Sequence, residues 1–471
     1  MKKRSILIYT SLSLALLISA CKVGKNYQRP EVELPQKFGE VSFADTSSIA
    51  DLEWKVFFSD TTLQGLLEKG INENYDLQIA IKRMDIARQQ LKQSKLLLLP
   101  DLNLELGAQY NRPSNNSLNG LSTSSFLGTN HIENYNTNLN LSWEIDIWGK
   151  IRRQKEAVLA QYLQTAEGKK AVQTQLVSDI AQGYYNLLML DRQLTIAHRN
   201  LNLSDSTLQL TKLLKEAGEV NQLAVEQAEA QNQATALLVP QLEQALAEQE
   251  NALQLLAGSL PARIARNADR SPSMIFTNLS AGIPAAILSR RPDIRVNEMA
   301  LVAANAYAGM AQGNLYPALV IGGAGGLESF KASNWFNIPN SLFGVASGAI
   351  LQPVFRKRAL KTQFEIAKIQ REQAVLQFRQ SILNAVGEVS NALSRLEKIN
   401  HQEQIASRRA ANLRLSVANA RLLFKSDRAN YLEVITVQSN ALQAELDLAL
   451  IQRQRDGARI ELYRALGGGW K

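Results

Sequence analysis

The stretch "NLNLSWEIDIWGKIRR", Asn138 to Arg153, decides how this chain is read. Leu139, Leu141, Trp143, Ile145 and Ile147 alternate with Asn138, Asn140, Ser142, Glu144 and Asp146. Such strict period-two alternation predicts a strand with one apolar and one polar face, stopped by Trp148-Gly149-Lys150. Yet nearly everything after it reads as helix. Ala, Leu, Gln and Glu are plentiful and aromatics are few, a composition that suits long helices. The tract from Lys150 to Val239 is free of proline and no proline follows Pro353, so uninterrupted helix is permitted. Val172, Leu176, Ile180, Tyr184 and Leu187 form a stripe at helical spacing, and so do Leu442, Leu446 and Leu450. A helix from Ile151 to Lys215 would run about 100 Å. It needs partners along its whole length, which implies antiparallel hairpins and coiled-coil packing. Pro240 is expected to kink the second tract.

The chain is one plan written twice. "YDLQIAIKRMDIARQQLKQSKLLLLPDLNLELG" from Tyr75 is matched by "PDIRVNEMALVAANAYAGMAQGNLYPALVIGGAG" from Pro292. Asp76 and Pro100 are 24 positions apart, as are Asp293 and Pro317. "LLKEAGEVNQLAVEQAEAQ" from Leu213 parallels "LLFKSDRANYLEVITVQSN" from Leu422. Each copy reads as a helix ending near a proline, two strands, a very long helix, a short break and a second long helix. In the first copy, strand one runs over Leu102, Leu104, Leu106, Ala108 and Tyr110. An Asn- and Ser-rich connector (Asn111 to Asn138) follows, and then the opening stretch. In the second copy the strands, Ala318 to about Leu327 and about Leu342 to Leu351, are Gly-rich and less clean. The breaks fall at Glu216-Ala217-Gly218 and at Ser426-Asp427-Arg428, where Gly, and less well Asp, tolerates the left-handed conformation that ends a helix.

The N-terminus carries an address. Lys2, Lys3 and Arg4 precede an apolar run from Ser5 to Ala20, too short and interrupted for a membrane span, which fits a signal peptide over 1–20. It ends in Ile18-Ser19-Ala20-Cys21, similar to the bacterial lipobox. Cys21 is therefore the expected lipidation site, carrying palmitate or another acyl chain. As the single cysteine, it excludes an intramolecular disulfide and argues against a thiolate metal site. Several acyl chains anchor stably where one binds only marginally. Cleavage removes three cations and lowers the formal charge from +9 to +6. No run exceeds three cations (Arg356 to Arg358), so no clustered nucleic-acid footprint is present.

Four strands of about ten residues match the length needed to cross a hydrocarbon core. Backbone groups in lipid must all be paired, so such strands close into a barrel. Four cannot close alone, so several chains must contribute. Leu139, Leu141, Trp143, Ile145 and Ile147 would then face lipid while the intervening residues line a wet lumen, with Trp143 and Trp148 candidates for the interfacial girdle. Alternation alone equally allows an amphipathic hairpin on a soluble core. The signal peptide, the polar connector and the long helices favour the barrel.

At this point "CKVGKNYQRPEVELP", "SWEIDIWGKIRR", "LSRRPDIRVNEMAL" and the terminal "ALGGGW", in this order and with this duplication, carry a resemblance. The chain resembles the TolC-like outer-membrane factor family, in its lipoprotein branch typified by OprM, over essentially the whole mature length. The resemblance implies a mainly α protein with a membrane β-barrel. A homotrimer forms a 12-stranded barrel, four strands per chain, continuous with a long periplasmic α-helical barrel. It implies a passive efflux conduit working with a periplasmic adaptor and an RND-type inner-membrane pump. The domains expected are the signal peptide, a lipidated extended segment over 21–60, repeats over 61–275 and 276–466, and a tail over 467–471. By motif match the helix breaks become periplasmic tips, with Leu432, Glu433 and Thr436 at pore-constricting positions. The family's tip aspartates fall on Thr436 and on Ala224 here, so Glu433 is left as the acidic ring residue. The usual tip glycine is replaced by Asp427.

Catalysis finds little to work with. His131, His198 and His401 lie far apart and in no metal-ligand spacing. "GGAGG" at Gly322 lacks the Lys-Ser/Thr of a phosphate loop. "RRPD" at Arg290 reads as structural, with an ion-paired arginine and Asp293 as a first-turn anion. No cofactor, metal or enzymatic activity is therefore expected. Two other classes are a periplasmic coiled-coil scaffolding lipoprotein without a channel, which heat-modifiable gel mobility would separate from a barrel, and a lipid-anchored hydrolase, which lacks a coherent nucleophile and base.

Overall fold

A computed structural model of the chain describes residues 23–33, 48–266, 284–426 and 428–471. The signal peptide, Cys21, Asp427 and the expected repeat boundary at 275/276 lie outside the described residues. Ten α-helices and four strands are described. The helices are α1 (Trp54–Phe57), α2 (Thr61–Glu73), α3 (Tyr75–Leu96), α4 (Leu118–Leu127), α5 (Lys150–Glu216), α6 (Gln222–Leu256), α7 (Ile287–Arg290), α8 (Pro292–Gly313), α9 (Ala359–Lys425) and α10 (Tyr431–Ala465). The strands are β1 (Asp101–Asn111), β2 (Ile132–Ile145), β3 (Ala318–Ser329) and β4 (Leu342–Leu351). The duplication is exact in length for three helix pairs: α3 and α8 have 22 residues each, α5 and α9 have 67, and α6 and α10 have 35. Among the described residues no helix is long and apolar enough to cross a membrane.

The chain divides into two compact units. The first, Met1–Pro30, Asp85–Leu163 and Glu298–Leu376, holds the sheet. All four strands are antiparallel in the order β1-β2-β3-β4. The second hairpin is Gly-rich for a steric reason at Gly326. A Cβ there would lie 1.9 Å from the Thr137 carbonyl oxygen on β2. An N-terminal strap, 23–30, is pinned to this unit by charge. Arg29 forks onto Glu298 at 2.7 and 2.8 Å, and Tyr27 donates to the same carboxylate at 3.2 Å. Burial first, and then the Glu298 charge, push the Tyr27 hydroxyl up to about 12. Arg153 donates to the Gly24 carbonyl and to Asn26, each at 2.9 Å.

The second unit, Glu31–Met84, Gln164–Asn297 and Gln377–Lys471, is helical. Asp60 caps α2 through the amides of Thr62 and Leu63 and accepts from the Tyr184 hydroxyl at 3.1 Å. Phe57 and Tyr463 stack at 4.0 Å in a fully buried cluster with Phe58. Two of the marked motifs meet here. Arg291, buried, pairs with Asp293 at 2.6 Å and Glu388 at 2.9 Å and donates to the Ala465 carbonyl. Gly467, at φ +96, lies so close to Arg290 that a Cβ would sit 2.8 Å from its carbonyl. "RRPD" and "ALGGGW" are thus two sides of one packed joint.

Three expectations are corrected. The connector Asn111 to Asn138 is not all loop. It contains α4, capped by Ser117 onto the Gly120 amide at 3.1 Å, and β2 already begins at Ile132. Alternation missed that part of the strand because Glu133, Tyr135 and Thr137 continue the apolar row as polar groups, while pairing continues to Asn111 opposite Ile132. Ile147 is not on the strand, which ends at Ile145. Asp146 turns away to cap α5 instead, accepting from Ile151 and Arg152 at 2.9 and 3.0 Å. The segment 21–60 is not extended throughout, since Ile49–Asp51 and α1 are helical. Pro240 lies inside α6, which continues on both sides of it.

Candidate functional site

Two places carry the chemistry expected of a conduit, the sheet and the helix tips. In the sheet, register converts alternation into faces. Leu141 stands opposite Leu102 and Leu139 opposite Leu104, so these leucines share one side. Across the next seam Trp143 faces Ile321 and Ile145 faces Leu319, and Leu319 faces Ile350 beyond. The other side carries Asn140 opposite Asn103 and Asn138 opposite Glu105, with Asn140 donating to Glu105 at 3.2 Å. Leu139, Leu141, Trp143 and Ile145 therefore lie in one row, and Ile147 is not brought to it.

Leu104, Leu106 and Ile350 are 66 %, 64 % and 74 % exposed in the single chain. Among the described residues the outer edges of β1 and β4 have no strand partner. Apolar, exposed edges of this length are unstable in water and must be paired or closed. Aromatic groups flank the apolar rows. Trp143 donates its indole N–H to the Leu98 carbonyl at 2.9 Å, and Trp148 to Pro317 at 2.6 Å while stacking on Tyr316. At the opposite strand ends Tyr135, Trp335 and Phe336 form a second group. An apolar body with one polar hydrogen bond is what an interface between lipid and water selects.

The tips are built by cap chemistry. At the first, α5 ends before Gly218 at φ +86, and Asn221 caps α6 onto the Ala224 amide at 3.1 Å. At the second, Asn430 accepts from the Glu433 amide and Glu433 accepts from the Asn430 amide, both at 2.9 Å. This reciprocal box satisfies two otherwise unpaired donors. It is legible in sequence as Asn-x-x-Glu but is missed when Glu433 is weighed only as a charge. Leu432, Glu433 and Thr436 lie together on the exposed side of α10, while Val434 and Gln438 are buried. The Glu433 carboxylate thus sits at the helix's positive end with an outward exposure.

Sequence reasoning also missed the buried charges that hold these helices together. Glu445, 3 % exposed, is gripped by Arg199 and Arg414, with Asn200 as a third partner. Arg455 bridges Glu403 and Asp456. Burial raises the Asp456 carboxyl above its ordinary value despite the Arg455 charge beside it. Arg199–Glu445, Arg414–Glu445 and Arg455–Glu403 cross between helices at separations of 246, 31 and 52 positions, so no local pattern announces them. Among the described residues no three His, Cys, Asp or Glu side chains converge as a metal site.

The comparisons agree with this geometry. The family model described as outer membrane efflux protein matches residues 66–259 and again 283–468, once per repeat. The chain is 31 % identical over 462 residues to the cation efflux system protein CusC of Escherichia coli O6:H1, covering 97 % of each. It is 28 % identical to the probable outer membrane lipoprotein SilC of Salmonella typhimurium, covering 98 % of each. A crystal structure of CusC, described in terms of folding and transmembrane channel formation, superposes with a TM-score of 0.84 at 30 % identity, covering 95 % of this chain and all of that one.

Proposed function

The chain belongs to the outer membrane efflux protein family and is an outer-membrane efflux channel, and from that premise we propose how it is assembled and used. Three copies close their four-stranded sheets into one 12-stranded barrel. Leu139, Leu141, Trp143 and Ile145 face lipid, and Asn138, Asn140 and Glu144 face the lumen. The helical hairpins continue the conduit into the periplasm, where Leu432, Glu433 and Thr436 narrow it. Cys21 carries the lipid anchor. A periplasmic adaptor and an RND-type inner-membrane pump deliver cargo and supply the energy, since a conduit without a nucleotide site is passive. The observation that carries this reading is the sheet: one apolar face, flanking aromatics and two unpaired edges on a chain of this family.

Purified protein reconstituted in a planar bilayer tests it. Stepwise conductance from a species of three chain masses is expected. A monomer that binds lipid without conducting would leave the scaffolding lipoprotein as the better reading. The resemblance to a cation efflux relative makes metal salts the first cargo to try in whole cells.

A further inference from the structure

The last three turns of α10 carry more guanidinium than their carboxylates pair. From Gln452 to Arg464 the helix holds four arginines and two carboxylates. Asp456 is taken by Arg455 at 3.0 Å and by Arg459 at 3.7 Å. Glu461 is taken by Arg395 of α9. Arg464 reaches Glu388 at 3.3 Å. Toward the tip, Glu445 and Asp447 are committed to Arg199, Arg414 and Arg409. Arg453 is left over. Among the described residues no carboxylate pairs with it, and its Nε is shielded from solvent without a hydrogen-bond partner. A shielded N–H without an acceptor costs free energy, and native folds rarely keep one without a use.

Arg453 lines a pocket of about 410 Å³ that lies over α10, between α5 and α9. That volume is in the range of small-molecule sites. Arg453, Gly457 and Glu461 follow one another at one-turn spacing along α10 and form one wall. The wall is recessed at Gly457, where a Cβ would meet only Arg453 Nη1, at 3.7 Å. Ile399 of α9 adds an apolar surface, and Gln182 of α5 adds an amide. The charges reduce to one. Glu461 is neutralised by Arg395, and Lys398 at the rim pairs with Glu397 at 2.8 Å. The Arg453 charge remains uncompensated. The opposite sides of α5 and α10 are the packed ones. Ile180 packs on Gly70 of α2, Tyr184 donates to Asp60, and Tyr463 donates to the Leu52 carbonyl at 2.7 Å.

We propose that this pocket binds a small organic carboxylate, with the carboxylate on Arg453 and the apolar body over Gly457 against Ile399. A guanidinium presents a planar fork that donates two parallel bonds to the two oxygens of a carboxylate. One uncompensated cation matches a monoanion. A doubly charged phosphate would leave a charge unpaired beside Glu461, and it would make no use of the apolar surface. A metal cation would meet Arg395, Lys398 and Arg453 together and be repelled. Every residue of the site belongs to one chain, so the site does not depend on how copies assemble.

Calorimetric titration of the full-length protein in detergent with sodium benzoate, against sodium chloride at equal ionic strength, tests the site. Benzoate should bind once per chain and raise the melting temperature, and inorganic phosphate should bind more weakly. Arg453→Gln should lower benzoate affinity about tenfold or more. Its melting temperature without benzoate should not fall, because Arg453 holds no carboxylate of the chain. Arg453→Lys should retain part of the affinity. Gly457→Leu should fill the recess and block benzoate with Arg453 still in place. Unaltered benzoate binding in both Arg453→Gln and Gly457→Leu would overturn the site, and so would the absence of binding to the unaltered chain. Phosphate binding as tightly as benzoate would overturn the assignment to an organic acid.

Discussion

Glu433 holds two roles that a single substitution can separate. Glutamine at the third helical position still closes a capping box, but it carries no charge. Glu433→Gln should therefore keep the tip folded while weakening cation preference in a planar bilayer, because three carboxylates at a narrow mouth focus the field. Glu433→Ala should lose both the charge and about 1 kcal/mol of local helix stability, seen as faster amide exchange over Tyr431–Ile435. Unchanged selectivity in both variants would turn Glu433 away from the axis and leave Leu432 as the constriction. A second residue-scale test uses pH. Burial alone would raise the Asp293 carboxyl, but hydrogen bonds and charge from Arg291 outweigh it and hold it below its ordinary value of 3.8. A carboxylate depressed in the fold adds stability above its unfolded value and loses it as pH falls through the folded one. Melting temperature in detergent should thus drop below about pH 4, and Asp293→Asn should flatten that part of the profile. An identical acid limb in the variant would show that the Arg291 joint is not pH-linked.

At the scale of elements, the sheet is a matter of parity. Leu141→Arg puts a cation on the apolar row, which costs roughly 2–4 kcal/mol near a bilayer midplane, whereas lumen-facing changes are tolerated. Barrel assembly, read as heat-modifiable gel mobility, should fail for Leu141→Arg and survive Asn140→Arg, with altered conductance in the latter. Asn140 is a cleaner control than Glu144, which is tied to Lys150 at 2.5 Å. Equal damage on both faces would contradict the assignment. Gly326 tests the closest approach of the two hairpins. Gly326→Val must displace the Thr137 carbonyl, so β2 and β3 should separate and assembly should be lost, while the same change at Gly344, where a Cβ meets nothing, should be mild. The long helices obey different rules. Their composition permits them, but buried pairs such as Arg199–Glu445–Arg414 fix which helix meets which.

At the scale of the whole molecule, anchoring and insertion are separable. Cys21→Ala should abolish incorporation of labelled palmitate, since the chain has no other thiol. It should leave the barrel able to insert, because the apolar strands supply their own area. Label persisting in the variant would refute acylation at Cys21. How much of this was readable beforehand follows from the range of each interaction. The sequence by itself determined the helix and strand periods, the duplication, the breaks at Gly218 and near Arg428, and the apolar row Leu139 to Ile145, because each depends on neighbours a few positions apart. Only the tertiary structure decided that Asp146 caps α5 and removes Ile147 from that row, and that β2 runs on through polar residues to Ile132. It alone showed that "RRPD" packs on the C-terminal glycines. Those outcomes depend on partners that lie from a few to hundreds of positions away. Their energies come from hydrogen bonds and burial that exist only once the helices and strands have been brought together.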